Sequence, residues 1–274
     1  MNFDNKTAWI TGASSGIGEA VSKAFAEQGA NIILSGRRTD ALQAVAETIS
    51  TDTLILPFET TDYDALPDKV EEALQWKGQV DILVNNAGIT QRSLAIETHP
   101  DVHHKIINVD LLAPIWLTQL LLPHMTEAGG GHIIGISSVA GRIGVPLRTA
   151  YCAAKHGLIG YLDAVRAETE ILHNIRVTNI LPGSIRTNVS RNALTKDGDR
   201  RGKSDDVIDK GMDPAECARQ ILEAVENNVP ELIIADGPEL MMAQLRQSDP
   251  EKLFEMAGQF GAETAKRYQS GDDS

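Results

Sequence analysis

Short apolar runs alternate with longer amphipathic stretches along nearly the whole chain. The runs fall at Thr7–Thr11, Asn31–Ser35, Thr53–Phe58, Ile82–Asn85, His132–Ser137, Arg176–Leu181 and Glu231–Ala235. Runs of this length read as buried strands, and the amphipathic stretches between them read as helices. Their regular succession predicts βαβ units and a mainly parallel α/β sheet. No internal repeat or Pro/Ser-rich linker divides the pattern, so residues 1–274 are expected to form a single domain.

The rhythm breaks at residues 190–211, where Thr195-Lys-Asp-Gly-Asp-Arg-Arg-Gly-Lys-Ser204 is charged and rich in small residues. A stretch this long without periodicity is uncommon unless it serves a function or stays unstructured. Its place after Pro182-Gly183 predicts an exposed, mobile substrate lid, with a solvated surface insertion as the alternative. A helix restarts at Asp213-Pro-Ala-Glu216, with Asp at the N-cap, Pro at the first helical position and Glu two further on. Beyond the last strand, Leu240, Leu245, Leu253, Phe254 and Phe260 predict one or two packing helices. Residues 238–274 therefore read as a C-terminal helical extension and polar tail.

Composition narrows the function. The chain is 42% apolar, ample for a core, and its formal net charge of −13 disfavours nucleic acid or an anionic membrane surface as the main partner. Cys152 and Cys217 are too few and too far apart for a disulfide framework or a cysteine metal cluster. The first strand begins almost at Met1, with no space for a charged and apolar leader, and no later run reaches ~18 uninterrupted apolar residues. The expectation is a cytoplasmic protein without stable membrane insertion.

The chemistry starts at Thr11-Gly-Ala-Ser-Ser-Gly-Ile-Gly18, a glycine-rich turn between the first strand and a helix opening near Gly18. That context suits a dinucleotide: Gly12 permits the tight turn, Gly16 lets backbone approach a pyrophosphate, and Gly18 permits close helix packing. The helix N-terminus adds amide donors and a positive dipole end. After the second strand an NAD site usually places a carboxylate, but Gly36 stands here and Arg37 and Arg38 follow. Two guanidinium groups suit a ribose 2′-phosphate, so NADP(H) is the expected cofactor and NAD(H) the less favoured one. Asp40 falls where the next helix is expected to start and is expected to cap it.

Tyr151 and Lys155 are four residues apart, which on a helix puts them on one face about 6 Å apart along the axis. A phenol is a poor base at neutral pH, and an adjacent ammonium favours its phenolate. Ser138 can then hold a substrate oxygen against the phenol while a nicotinamide delivers or accepts hydride at the attached carbon.

These residues resemble the short-chain dehydrogenase/reductase family over nearly the whole chain. The glycine turn, Asn85-Asn-Ala-Gly88, Ile136-Ser-Ser-Val139, Tyr151-Cys-Ala-Ala-Lys155 and Pro182-Gly-Ser-Ile-Arg-Thr187 occur in the family order. The resemblance implies a Rossmann-like, doubly wound sheet of seven parallel strands with helices on both faces, and a dinucleotide-binding catalytic domain. It implies hydride exchange between a nicotinamide and an alcohol or carbonyl compound by Ser138, Tyr151 and Lys155. The implied cofactor cradle comprises Gly12, Ser14, Ser15, Gly16, Ile17 and Gly18, with Arg37 and Arg38, then Glu59 and Thr60 beside the adenine. Asn86, Ala87 and Gly88 serve the ribose and the central sheet, while Pro182, Gly183, Ile185 and Thr187 wrap the nicotinamide half, together with Tyr151 and Lys155.

Two positions depart from the family pattern. Glu59 stands where the family usually has Asp, and Asp110, in Asn108-Val109-Asp110, stands where it usually has a catalytic Asn. The family role of that residue rests largely on a main-chain carbonyl holding a relay water, which Asp preserves, though a buried carboxylate also acts on Lys155 or Tyr151. Gly141-Arg-Ile-Gly-Val-Pro146, Arg148-Thr-Ala-Tyr151, Asn192-Ala-Leu-Thr-Lys-Asp-Gly198 and Lys210-Gly-Met-Asp-Pro-Ala-Glu-Cys217 resemble a branch containing membrane-anchored reductases of lipid-like or steroid-like carbonyls. The helices around Leu111–Met125 and Tyr151–Ile171 resemble the family's dimer pair, which implies a homodimer or homotetramer.

Weaker signals receive plainer readings. His99 and His103 have helical spacing but no complete ligand set, so no metal is expected. Cys152 is expected to pack rather than react. Arg92, Arg142 and Arg186 are read as solvated surface residues, with recognition of a carboxylate or phosphate substrate as the alternative. The other class of function compatible with this chain is a nucleotide-binding sensor without useful turnover.

Overall fold

The computed structural model describes residues 3–271. Strands β1 (Thr7–Thr11), β2 (Asn31–Ser35), β3 (Thr53–Ile55), β4 (Ile82–Asn85), β5 (Gly131–Ile136), β6 (Ile175–Pro182) and β7 (Glu231–Ile234) form one sheet in the order β3-β2-β1-β4-β5-β6-β7. Every pairing is parallel. The order reverses between β1 and β4, and the crevice beyond the carboxyl ends of the strands at such a reversal is where ligands bind. This is the Rossmann-like, doubly wound arrangement the sequence predicts.

Helices are α1 (Gly16–Glu27), α2 (Thr39–Ala46), α3 (Leu66–Lys77), α4 (Pro100–Ile107), α5 (Ala113–Glu127) and α6 (Thr149–His173), followed by α7 (Asp206–Asp209), α8 (Pro214–Glu226), α9 (Gly237–Ser248) and α10 (Pro250–Gln269). Both sheet faces are covered, which is why the central strands are apolar without alternation. Successive side chains still point to opposite faces. Ile10, Ile32 and Leu34 meet Val21 and Phe25 of α1 and Ile221 and Val225 of α8. Trp9, Ile33 and Leu83 meet Leu117 and Leu121 of α5 and Leu158 and Leu162 of α6. The fit is close: a Cβ on Gly135 of β5 would lie 2.2 Å from Leu162 Cδ1.

Three local expectations change. Asp40 does not cap α2; its N-cap is Arg38, with no side-chain capping bond, and Asp40 sits in the first turn. Residues 190–211 are held by a backbone bridge from Leu194 to Gln91, a second from Leu194 to Arg200, and the short α7, so the expected mobile loop is packed. In the C-terminal extension Leu253 is buried, but Phe254 and Phe260 are 60% and 52% exposed, because α10 packs on one side only and Arg246 stacks over Phe254. The last residues of the polar tail, 272–274, lie outside the described residues.

Candidate active site

The glycine turn packs as its spacing requires. Gly12 and Gly16 have φ of 65° and 62°, the left-handed region that L side chains avoid. A Cβ on Gly12 would lie 2.9 Å from Ala87 Cα, and one on Gly18 would lie 2.4 Å from the Gly12 carbonyl oxygen. Gly18 therefore seats α1 against the sheet rather than facing a ligand. Ser15, the N-cap of α1, makes no capping bond with its side chain, so the first amides of the helix face the cleft as free donors to an anion. These features fit a dinucleotide pyrophosphate.

Apart from Gly18, all the residues expected in the site line one cleft of about 750 Å³. They are Gly12, Ser14, Ser15, Gly16, Ile17, Arg37, Arg38, Glu59, Thr60, Asn86, Ala87, Gly88, Asp110, Ser138, Tyr151, Lys155, Pro182, Gly183, Ile185 and Thr187. A larger groove of about 1040 Å³ between α1 and α8 touches only the mouth of the turn and holds none of Ser138, Tyr151 and Lys155. The smaller cleft is the one with chemistry.

Tyr151 and Lys155 project from the first turns of α6. Buried Gln91 caps that helix, its Oε1 accepting from Ala150 N at 3.0 Å and its amide donating to Thr149 Oγ1 at 3.3 Å. Lys155 Nζ lies 5.6 Å from the Tyr151 ring centroid and donates to the Ile136 carbonyl at 3.1 Å. Ser138 Oγ donates to the Pro182 carbonyl at 3.3 Å and accepts from Ala140 N at 3.1 Å, so it caps a short turn as well as lining the cleft.

Asp110 enters from a π-helical segment, Asn108–Leu112, that joins α4 to α5 in one continuous helix. The widened turn is common at functional positions. Its Oδ1 accepts from Ile89 N at 2.8 Å, and its Oδ2 is ion-paired with Lys155 Nζ at 3.3 Å without hydrogen-bond geometry. Burial raises the pKa of Asp110, against the pull of Lys155. Burial alone lowers that of Lys155, but Asp110 and then Tyr151 outweigh it and the net shift is upward.

At the opposite end Arg37 pairs with Glu59 at 3.4 Å, while Arg38 Nη2 reaches Ser14 Oγ at 3.0 Å and Ser15 Oγ at 3.3 Å. Arg38 is thus the guanidinium drawn against the turn. Other candidates lie elsewhere. Arg92 is buried on Asp205, Arg142 pairs with Glu231, and Arg186 with Asp213; none lines the cleft. His99 caps α4, accepting from Asp101 N. Cys152 packs beside Val145, and burial raises its thiol pKa. Sequence patterns did not single out Gln91, Lys105, Arg200 or Glu239. Lys105 and Arg200 line the cleft, and Glu239 of α9 accepts from Ser184 N at 2.7 Å and Ser184 Oγ at 2.9 Å.

Comparison with known proteins identifies the family of the chain. The short chain dehydrogenase family profile matches residues 6–198. Dehydrogenase/reductase SDR family member 7B of Bos taurus is 35% identical over 261 residues, spanning 92% of this chain and 80% of the relative. Dehydrogenase/reductase SDR family member 7 of Homo sapiens is 35% identical over 274 residues, spanning 97% and 80%. Among solved structures, a short chain dehydrogenase/reductase from Burkholderia phymatum in complex with NAD superposes with a TM-score of 0.82 at 20% identity, covering 92% of this chain and 96% of that one. A metagenomic short-chain oxidoreductase in complex with NADP gives 0.71 at 28% identity, covering 85% and 98%.

These relatives correct one expectation. Members 7 and 7B fit the branch that the sequence resembles, the one containing membrane-anchored reductases, so the cytoplasmic assignment is withdrawn. The continuous helix Pro100–Glu127 is also long and apolar enough to cross a membrane by length and composition, although Leu117, Leu121 and Met125 on it are buried in the core. Its apolar residues do not form one uninterrupted run, because Asn108, Asp110, Thr118, Gln119 and His124 divide them.

Proposed function

The chain belongs to the short-chain dehydrogenase/reductase family of oxidoreductases, and from that premise we propose that it is an NADP(H)-dependent enzyme interconverting an alcohol and its carbonyl compound, with Tyr151 as general acid and base. The observation that carries this reading is the placement of Tyr151 and Lys155 on one turn of α6, facing the cleft that holds the glycine turn and Ser138. Solved relatives of the fold bind NAD or NADP, and a nicotinamide supplies or takes the hydride when bound. The preference for NADP(H) rests on Gly36 in the usual acidic position and on Arg38 beside Ser14 and Ser15.

In the reducing direction Tyr151 Oη gives its proton to the carbonyl oxygen as that oxygen gains negative charge. Lys155 stabilises the phenolate left behind, and Ser138, by turning its hydroxyl from Pro182 to the substrate, holds the same oxygen. Asp110 keeps Lys155 charged through their buried pair. Residues 190–211 cover the substrate half, and α9 braces the nicotinamide side through Glu239 and Ser184. The chain acts as one catalytic domain and assembles as a homodimer or homotetramer.

The test is Tyr151→Phe, which keeps the ring and removes the transferable proton. Turnover in an NADPH-dependent carbonyl screen is expected to fall roughly 10²-fold or more, with NADPH binding retained. Near-normal turnover with hydride transfer rate-limiting rejects the acid/base assignment. Binding of NADPH without protein-dependent oxidation of it by any carbonyl points instead to a sensor.

A further inference from the structure

The cleft is electropositive in a protein whose formal charge is −13. Five cations line it, Arg37, Arg38, Lys105, Lys155 and Arg200, against two acids, Glu59 and Asp110. Both acids are engaged: Glu59 pairs with Arg37 and Asp110 with Lys155. Arg38 is turned to the serines of the glycine turn. Lys105 and Arg200 remain, and the side chain of neither makes a hydrogen bond or ion pair within the described residues. Paired surface cations in an acidic protein are ordinary, whereas cations left without a counter-charge on the wall of a cleft focus its field on an anion.

The fold brings these two residues to one seam. Leu194 is buried against Val102 and Ile106 of α4, the turn on which Lys105 stands, and His99 N donates to the Lys196 carbonyl at 2.9 Å. Arg200 lies opposite Leu194 in an antiparallel bridge, so it is held over the same helix. The next residue, Arg201, turns inward to Asp205 at 2.5 Å, and Asp205 also receives buried Arg92 at 2.9 Å. Arg201 is thus held inward, while Arg200 beside it is exposed and lines the cleft. The segment is thus tied to the domain on both sides of Arg200.

Resting on the oxidoreductase reading above, we propose that the substrate carries an anionic group, a carboxylate or a phosphate, received by Lys105 and Arg200 across the seam between α4 and the 190–211 segment. The reacting carbon then lies toward Tyr151 and the acidic group toward the rim. Charge-assisted hydrogen bonds from a guanidinium and an ammonium supply both affinity and register. The competing occupant is the cofactor, whose own phosphates carry negative charge.

The test compares para-carboxybenzaldehyde, para-formylphenyl phosphate and the uncharged methyl ester of the carboxy compound, each reduced with NADPH. The wild-type protein is expected to favour one of the anions in kcat/KM by roughly tenfold or more, as one charge-assisted contact allows. The favoured anion identifies the acidic group. Arg200→Gln and Lys105→Gln are each expected to remove most of that ratio, and added salt is expected to erode it. Calorimetric binding of para-carboxybenzyl alcohol to the NADPH complex, a pair that cannot exchange hydride, with the corresponding ester alcohol as control, reads the same site without turnover, so failure of the catalytic reading is distinguishable from failure of this one. The proposal is overturned if the wild-type protein prefers neither anion in rate or binding. It is equally overturned if the two variants weaken NADPH binding by the factor they take from the anion, which assigns both cations to the cofactor.

Discussion

Arg37 and Arg38 follow Gly36 side by side, yet their surroundings differ. Arg37 is 67% exposed at its side chain and already shares Glu59, whereas Arg38 reaches the serines of the glycine turn. Arg38→Ala is therefore expected to weaken NADPH binding roughly tenfold or more with little effect on NADH, since only NADPH carries the added phosphate. Fluorescence titration with both nucleotides checks it, and equal losses reject the assignment. Asp110 gives a second test at this scale. Its negative charge opposes the downward push of burial on Lys155, so Asp110→Asn removes the larger upward pull and leaves burial opposed by Tyr151 alone. The ammonium is then lost at lower pH, and the alkaline limb of the kcat/KM profile is expected to move down. An unmoved limb, with NADPH still bound, would show that Asp110 acts only through its backbone.

At the scale of elements, β5 carries a titratable group inside the sheet. His132 is fully buried, one ring nitrogen contacts Thr178 Oγ1 at 2.8 Å, and the other is unpartnered. Burial, reinforced by Arg176 and Arg166, pushes its pKa down to about 4 from 6.5. The folded value lies below the unfolded one, so the neutral ring contributes its full stability above about pH 6.5. That contribution is lost as pH falls through this window toward the folded value. The effect is of the order of 3 kcal/mol. Urea midpoints measured across that window are expected to fall with pH, and His132→Gln is expected to flatten the slope. An unchanged slope in the variant assigns the acid sensitivity to other groups.

For the whole molecule, the helices α5 and α6 leave apolar side chains outside the core: Trp116 is 44% exposed, Ile171 94% and Leu172 77%. Scattered exposed hydrophobics are ordinary, but these lie on the helix pair proposed for assembly. Sedimentation is expected to give a dimer or tetramer, and Trp116→Glu with Ile171→Glu is expected to shift it toward monomer. A monomer at all concentrations in the unaltered protein rejects the assembly. The surface at large is acidic while the cleft is not, so steering of an anionic substrate depends on local placement of charge rather than on the net value.

How much was legible in the sequence follows the range of the forces involved. The bounds of β1, β2 and β4 match those read from apolar runs, because a strand between two helical layers needs little more than a short continuous apolar segment and a turn at each end. The turn glycines and the Tyr151–Lys155 spacing were equally readable, since backbone strain and helical periodicity act over a few residues. The sequence could not pair charges across long separations. Arg92 is taken by Asp205, which lies 113 positions away, and residues 190–211 are packed where low apolar content predicted mobility. Phe254 and Phe260 have the spacing of a core helix, but α10 finds a neighbour on one side only. Local pattern determined which elements form and where the candidate chemistry sits on them. Tertiary packing decided which arginines are spent in ion pairs and which cations face the cleft, because a side chain's counter-charge depends on elements that meet only when the sheet is assembled.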